Sequence, residues 1–337
     1  MKEALFYERE GNLQVRCRLC RFNCLIGDGA RGVCAVRENR GGTLYSLVYG
    51  KVCAEHVDPI EKKPLFHVMP GSRTYSIATV GCNFRCRHCQ NYSISQADRN
   101  APIGGREQTP HAIVQRAIDN GCSSISYTYT EPTIYFEFAC DTARLARQAG
   151  LKNIFVTNGY ISTEALATIA PFLDAANIDL KGFSETFYRD VVHARLSEVL
   201  DSIMEYRKQG IWLELTTLII PGLNDSDGEL QNLAEFIVAN LGVDTPWHVN
   251  QYYPTYLLTD RSRTSVETLR KARDIGLSAG LRYVYEGNVP GEGGENTTCP
   301  SCASLLIKRH GYAIQNNRIN NNGACPDCGM VIAGIRF

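Results

Sequence analysis

Between residues 74 and 287 the chain alternates short β-branched and aromatic runs with longer amphipathic segments. Runs of that composition ending in turn residues predict strands, and apolar residues at helical spacing predict helices. The predicted strands are residues 74–81, 124–130, 153–159, 175–182, 212–220, 247–253 and 281–287. The predicted helices are residues 111–121, 133–150, 162–173, 196–210, 226–242 and 265–280. Ser226 before one helix and Gly210 after another are typical helix caps.

This strict alternation predicts an α/β fold with parallel strands joined by right-handed crossovers. About six repeats fit a doubly wound sheet or a (β/α) barrel, complete or partial. Both architectures place the active site where the strands end.

Polar residues gather at these strand ends, where a core has no need of them. They are Cys82, Glu131, Thr157, Asn158, Asp179, Lys181 and His248. This clustering predicts that the central region carries a functional site.

Two smaller regions flank the central one. Residues 1–73 have little helical periodicity and end in the Pro-punctuated segment DPIEKKPLFHVMPGS. A Gly-rich junction at residues 287–298 introduces the last region. We therefore predict domains at residues 1–73, 74–290 and 291–337, the central one being the α/β domain.

Composition narrows the class of protein. Lys plus Arg and Asp plus Glu both number 35, so there is no basic excess of the kind that nucleic-acid binders show. The charged N-terminus lacks the apolar core of a signal peptide, and no run approaches about 18 apolar residues. We expect a cytoplasmic protein without a membrane span. In a reducing compartment, its 14 cysteines favour metal sites over disulfides.

The C-terminal cysteines form two Cys-x-x-Cys pairs, Cys299 with Cys302 and Cys325 with Cys328. Each pair directs two sulfurs at one ion, so four thiolates complete a tetrahedral site. A segment this small cannot bury enough apolar surface alone, which favours a structural zinc in a zinc-ribbon-like unit. Redox-active iron in the same geometry is the alternative.

The N-terminal set, Cys17, Cys20, Cys24 and Cys34, also supplies four thiolates. Its spacing suits a closed zinc site or an auxiliary [4Fe–4S] cluster, and unliganded thiols are a third interpretation. The middle set, Cys82, Cys86 and Cys89, supplies three.

Three thiolates can hold a [4Fe–4S] cluster and leave its fourth iron open to another ligand. In the alternative interpretation, one of the isolated cysteines completes an ordinary four-cysteine site. Those cysteines are Cys53, Cys122 and Cys140, each of which is otherwise expected to be a buried apolar residue.

Cys-x3-Cys-x2-Cys after a first strand resembles the signature of radical S-adenosylmethionine (radical SAM) enzymes, and the resemblance covers about residues 74–290. It implies a full or partial (β/α) barrel and SAM bound at the open iron. It further implies reductive cleavage of SAM to a 5′-deoxyadenosyl radical that abstracts hydrogen from a substrate. An electron donor such as flavodoxin or ferredoxin would supply the electron.

The same resemblance implies which residues contact SAM. His88 stands where the family has an aromatic residue near the adenine, and Glu131 matches the Glu of the family's Gly-Gly-Glu motif, with both glycines replaced. Further SAM contacts are implied by likeness to glycyl-radical activating enzymes: Thr157, Asn158, Asp179, Lys181 and His248. The alternatives are a helix N-terminal charge for Glu131 and a salt-bridged or hydrogen-bonded scaffold for the rest.

A narrower resemblance covers almost the whole chain. DPIEKKPLFH, TVGCNFRCRHCQNYSISQ and GNVPG…ENTTCPSC resemble the radical SAM member of AmmeMemoRadiSam systems, which is similar to pyruvate formate-lyase activating enzymes. The substrate stays open among a glycine of a partner protein, another protein, an RNA and a small molecule. The alternative from another class is a non-catalytic zinc-ribbon interaction protein.

Overall fold

The computed structural model describes residues 1–335 and divides into two compact units. The first unit consists of Met1–Asp58, Arg73–Ala176 and Val191–Ile211. The second consists of Pro59–Ser72, Asn177–Asp190 and the residues from Trp212 onward. Arg336 and Phe337, at the end of the predicted third domain, lie outside the described residues.

The predicted alternation of strands and helices is confirmed. An eight-stranded sheet contains all seven predicted strands and one more that precedes them. Its strands are β1 (Ala54–Pro59), β2 (Arg73–Ala78), β3 (Ser124–Tyr127), β4 (Lys152–Thr157), β5 (Ala175–Asp179), β6 (Trp212–Ile219), β7 (Trp247–Gln251) and β8 (Val284–Gly287). The predicted helices appear as α1 (Pro110–Asp119), α2 (Phe136–Gln148), α3 (Thr163–Ile169), α4 (Leu196–Lys208), α5 (Asp227–Asn240) and α6 (Val266–Ser278).

In the first unit, β3 lies parallel to both β2 and β4, with Ser124 opposite Thr74 on one side and Lys152 on the other. All four residues of β3 are buried, as expected of a parallel strand covered on both faces. Side-chain caps start the neighbouring helices: Thr109 accepts from Ala112 N before α1, and Ser162 accepts from Ala165 N before α3.

Short antiparallel sheets and single-turn helices make up most of the other regular structure. The short strands are Lys2–Glu3, Tyr7–Arg9, Val15–Cys17, Leu25–Ile26, Arg37–Arg40, Thr43–Ser46, Lys51–Val52 and Arg106–Glu107. The short helices are Ile60–Lys62, Tyr92–Ser95, Pro132–Tyr135, Ala170–Phe172, Glu185–Phe187 and Tyr188–Val192.

In the second unit, β7 lies parallel to both β6 and β8, with Trp247 opposite Leu215 and Val284. Ser226 caps α5 by accepting from Glu229 N. The strands Thr297–Thr298, Leu305–His310 and Ala313–Asn317 form an antiparallel sheet, which confirms a ribbon-like C-terminal unit.

The ribbon shares an apolar core with the rest of the second unit. Leu306, Ile307 and Ile332 pack in one cluster with Phe66 and Tyr285. No described helix combines the length and the apolar character that crossing a membrane requires.

Candidate active site

The loop that follows β2 carries the three-cysteine set. Cys82 and Cys86 are buried and Cys89 is half-buried. Cys82 Sγ accepts a hydrogen bond from Phe84 N at 3.3 Å, and Cys89 Sγ lies 3.0 Å from Ser95 Oγ. These contacts provide donors that can stabilise sulfur in its thiolate form.

Gly81 fixes the start of this loop. Its φ of +101° lies outside the range that side chains readily adopt. A Cβ at this position would lie 2.7 Å from Val36 Cγ1 and 2.9 Å from the Cys34 carbonyl oxygen. Glycine is therefore required for the cysteine loop to pass against the segment that contains Cys34.

Asn158, at the end of β4, links the loop to the next strand ends. Its Nδ2 donates to Asn83 Oδ1 at 2.7 Å and lies 3.8 Å from Cys82 Sγ. Asn158 is buried, so this amide is held in place rather than solvated. The structure thus brings the predicted residues Cys82 and Asn158 together.

Glu131 is fully buried and completes the same network. Its Oε1 accepts from Thr157 Oγ1 at 2.8 Å and from the backbone N of Thr133 at 3.0 Å. Its Oε2 accepts from Asn158 N at 2.8 Å. Burial raises the pKa of Glu131, although these hydrogen bonds oppose that shift. Four predicted residues, Cys82, Glu131, Thr157 and Asn158, therefore form one hydrogen-bonded group.

Glu131 also caps a short helix, because its side chain accepts from Thr133 N. It therefore has the helix N-terminal position that the sequence analysis gave as the alternative to a SAM contact. Two positions earlier, Tyr129 occupies one of the two glycine positions of the family motif. It nevertheless adopts φ +62°, a conformation typical of glycine. A hydrogen bond from its hydroxyl to Asp58 Oδ2 and another from Asn91 Nδ2 to its carbonyl hold it there. Tyr129 thus adopts a left-handed backbone conformation although it is not a glycine.

His88, predicted to contact the adenine, is buried in the first unit. In the second unit, Lys181 Nζ forms an ion pair with Asp179 Oδ2 at 3.0 Å. Lys181 N donates to Tyr188 Oη and its carbonyl accepts from Asn224 Nδ2. Asp179 and Lys181 are thus held in place by their own unit.

His248 lies within the interior of the second unit. Its Nε2 is 2.7 Å from Glu214 Oε2, and its ring stacks on that of Tyr285. Glu214 also accepts from the backbone N–H groups of Phe66 and His67. Burial acts to raise the pKa of Glu214, but the hydrogen bond with His248 and the other partners lower it overall. His248 is therefore part of a hydrogen-bonded scaffold with Glu214, the alternative that the sequence analysis gave for this residue.

Sequence reasoning missed Glu214 and the buried His67. His67 Nδ1 donates to the Ala333 carbonyl, so Nε2 is left to accept from the Tyr285 hydroxyl at 2.7 Å. Burial lowers the pKa of His67 to about 4, which keeps the ring neutral. The available signal was Glu214 itself, a charged residue inside the apolar strand WLELTTLII.

The C-terminal cysteines form a compact group. Cys299 Sγ is 3.5 Å from Cys328 Sγ, and Cys302 Sγ is 3.7 Å from Cys325 Sγ. Zn–S bonds of about 2.3 Å in a tetrahedron require sulfurs about 3.8 Å apart. Hydrogen bonds with Ser304 lower the pKa of Cys302 to about 6, which favours its thiolate. The residues therefore fit a zinc ion.

The N-terminal cysteines instead surround a cavity. Cys17, Cys20, Cys24 and Cys34 line it together with Arg37. Burial and the neighbouring Cys17 raise the pKa of Cys20 well above its ordinary value. All cysteines within the described part of the chain are free of disulfides.

Comparison with known proteins identifies the family. The family model described as "Radical SAM superfamily" matches residues 76–237, the stretch that contains Cys82, Glu131, Thr157 and Asn158. An uncharacterized protein of Methanocaldococcus jannaschii, MJ0808, is 48% identical over 98% of this chain and 99% of its own length. The chain belongs to the radical SAM superfamily. As a radical SAM protein it is an enzyme, which sets aside the non-catalytic interpretation.

Two further comparisons refine this picture. A putative glycyl-radical enzyme activating enzyme of M. jannaschii, MJ1632, is 24% identical over 70% of this chain and 82% of that protein. The solved structure of SuiB from Streptococcus suis bound to S-adenosylmethionine has a TM-score of 0.51 at 14% identity, over 68% of this chain and 53% of that one. These likenesses confirm the predicted radical SAM fold and the sequence relation to activating enzymes.

Proposed function

We propose that Cys82, Cys86 and Cys89 hold a [4Fe–4S] cluster to which SAM binds, and that the enzyme uses it for hydrogen abstraction from a protein substrate. The observation that carries the proposal is the hydrogen-bonded group joining Cys82 to Glu131, Thr157 and Asn158. The cluster, when bound, supplies reductive cleavage of SAM and radical hydrogen abstraction.

The residues of the chain position that chemistry. Asn158 orients the cysteine loop through Asn83, while Glu131 holds Asn158 by its backbone N–H. The Glu131 carboxylate places negative charge beside the loop, and a charge of that sign attracts the ammonium group of the methionine part of SAM. Its position supports the SAM contact that the resemblance implies.

The remaining SAM contacts belong to the same proposal. His88 offers a planar ring for the adenine, and Thr157 offers a hydroxyl. The resemblance adds Asp179, Lys181 and His248, whose side chains are fixed by the Asp179–Lys181 ion pair and the His248–Glu214 hydrogen bond. Fixed polar groups suit a binding role because little side-chain entropy is lost on binding.

For the substrate we propose a glycine of a partner protein, and for the electron a flavodoxin- or ferredoxin-type donor. Support comes from the sequence likeness to MJ1632, which is described as a putative glycyl-radical enzyme activating enzyme. For the C-terminal set we propose zinc, because its four sulfurs all lie within 4.8 Å of one another, close enough to bind one ion.

The test of SAM cleavage uses the anaerobically reconstituted enzyme with dithionite and SAM. We expect 5′-deoxyadenosine from the unsubstituted protein and from Cys53→Ala, and none from Cys82→Ala. Cys53 is the matched control because it belongs to none of the three cysteine sets. A protein that contains the cluster but forms no 5′-deoxyadenosine would contradict the proposal.

Substitution of Glu131 separates SAM binding from cluster assembly. We expect Glu131→Gln to retain iron but to raise the KM for SAM by about tenfold, the effect of losing one charged hydrogen bond. The substrate is tested separately, by the EPR doublet of a glycyl radical in a partner enzyme. Cleavage of SAM without that doublet would exclude glycine activation of that partner and leave the radical chemistry intact.

A further inference from the structure

The two four-cysteine sets of this chain have different sulfur geometry. Within the described residues, Cys299, Cys302, Cys325 and Cys328 are the one set of metal-ligating side chains whose ligand atoms all lie within 4.8 Å of one another. The N-terminal four do not meet this condition, in threes or as a complete set. They line a small cavity that is partly open to solvent, together with Arg37 and Asn83.

A mononuclear zinc site is therefore a poor match for the N-terminal set. Tetrahedral zinc draws its sulfurs to about 3.8 Å from one another and leaves no cavity between them. A [4Fe–4S] cluster spaces its four thiolates more widely, because each sulfur binds a different iron. The sulfurs of the middle set, Cys82, Cys86 and Cys89, do not all lie within 4.8 Å of one another either. In the radical SAM superfamily, to which the chain belongs, cysteines of this motif bind a [4Fe–4S] cluster.

We propose that Cys17, Cys20, Cys24 and Cys34 hold a second [4Fe–4S] cluster, separate from the SAM-binding one. With four cysteine ligands this cluster has no open iron, so it does not bind SAM. This inference goes beyond the proposed function, and only its comparison with the middle cysteine set rests on that function.

The structure places this second site beside the loop of the first. Asn83, next to Cys82, forms part of the cavity wall. Arg85 Nη2 donates to the Val33 carbonyl at 2.5 Å. On another side, Cys20 forms a β-bridge with Ile161, and Ser162 N donates to the Leu19 carbonyl at 3.0 Å. The four-cysteine segment is therefore attached to both loops that carry the Cys82–Asn158 contact.

A buried hydrogen-bond donor without an acceptor also points to an occupant of this cavity. Arg37 lines the cavity, is 1% exposed, and its Nη1 lies 3.7 Å from Cys17 Sγ. Its Nη2 pairs with Glu137, while Nε is buried with no hydrogen-bond partner anywhere in residues 1–335. A sulfide or thiolate of an iron–sulfur cluster would provide an acceptor for that N–H group.

The test is the metal content and EPR spectrum of the full chain carrying Cys82→Ala, Cys86→Ala and Cys89→Ala, purified anaerobically. We expect about four irons and about one zinc per chain, and a [4Fe–4S] signal on reduction that SAM does not alter. Adding Cys17→Ala and Cys20→Ala should remove the iron and the signal. Adding Cys299→Ser and Cys302→Ser instead should remove only the zinc, and adding Cys53→Ala should change neither metal.

A triple variant with about two zinc ions and no iron would overturn the proposal, as would one with no metal beyond the C-terminal zinc. If the triple variant does not fold, the unsubstituted chain decides the question. About eight irons and one zinc support two clusters, whereas about four irons and two zinc ions contradict them.

Discussion

The chain contains two sets of four cysteines that look interchangeable in composition and differ in structure. In the C-terminal set, pairs of sulfurs lie 3.5 and 3.7 Å apart, whereas the N-terminal set lines a cavity with a buried arginine in its wall. The number of thiolates is the same in both. We infer that the spacing of the sulfurs, rather than their count, distinguishes the site of a single ion from the site of a polynuclear cluster.

The two sets also differ in what supports them. The ribbon is a small antiparallel sheet whose four cysteines lie close together, and it packs on the apolar cluster that contains Phe66 and Tyr285. The N-terminal segment is attached to α2 through the buried pair of Arg37 and Glu137 and through hydrogen bonds of both side chains with Leu5. Metal loss should therefore affect the two regions unequally.

The largest expected effect is on the ribbon. We predict that Cys299→Ser with Cys302→Ser removes one zinc per chain and unfolds the ribbon locally, since structural zinc supplies about 10 kcal/mol or more in small zinc-binding units. Hydrogen exchange should show protection lost in residues 297–317, with iron content unchanged. Retained protection in those strands would show that the shared apolar core is sufficient without metal.

The next largest effect concerns the buried ion pair between Arg37 and Glu137, which attaches the N-terminal segment to α2. Arg37→Met should destabilise the first unit by about 3–5 kcal/mol, because it leaves the Glu137 carboxylate buried without its cation. The double variant Arg37→Met/Glu137→Met should recover most of that loss. Denaturant unfolding of both variants measures the difference, and equal stability of the two would show that the ion pair is not what anchors this segment.

Acid should destabilise the second unit, in which His67 is buried and contacts the Ala333 carbonyl. An unfolded histidine has a pKa of about 6.5, whereas burial lowers the pKa of His67 to about 4. Between these two pH values His67 is protonated in the unfolded chain and neutral in the folded chain. The contribution of neutral His67 to the free energy of unfolding is therefore complete above about pH 6.5. It decreases by about 3 kcal/mol as the pH falls to about 4.

His67→Gln should flatten this pH dependence relative to the unsubstituted protein. The readout is the pH dependence of unfolding, with hydrogen exchange at Ile335, whose N–H donates to the His67 carbonyl, as a local probe. Parallel pH curves for the two proteins would contradict the assignment of a neutral buried His67.

The smallest expected effect concerns Gly81, where the loop of Cys82 passes against the segment that contains Cys34. Gly81→Ala places a Cβ against Val36 and the Cys34 carbonyl and should cost about 1–3 kcal/mol. Iron occupancy should fall at both sites while zinc stays constant. Gly27→Ala is the matched control because its Cβ would meet no atom within 4 Å. Loss of iron in the control as well would remove the steric explanation.

The seven strands and six helices predicted for residues 74–287 all form, because local signals specify them. Ser226 accepts from Glu229 N as the expected cap, and Gly210 adopts φ +75° after α4. Strand β1 was missed because Ala54–Pro59 ends at a proline and carries His56, which weakens its strand signal.

Side-chain pairing across distant strands could not be predicted. Glu214 meets His67 and His248 only because of the order and register of β6 and β7, which are set by packing of the whole second unit. The left-handed conformation of Tyr129 and the width of the N-terminal cysteine set likewise depend on tertiary contacts. The sequence therefore identified the cysteines but not the geometry that separates their metals.

The assignment of iron to two cysteine sets and of zinc to the third is tested most directly by anomalous diffraction. The data are recorded at the iron and zinc absorption edges from anaerobically grown crystals. We predict iron peaks at Cys82–Cys86–Cys89 and at Cys17–Cys20–Cys24–Cys34, and a single zinc peak at Cys299–Cys302–Cys325–Cys328. A zinc peak among the N-terminal cysteines, or no iron beside Cys82, would contradict it.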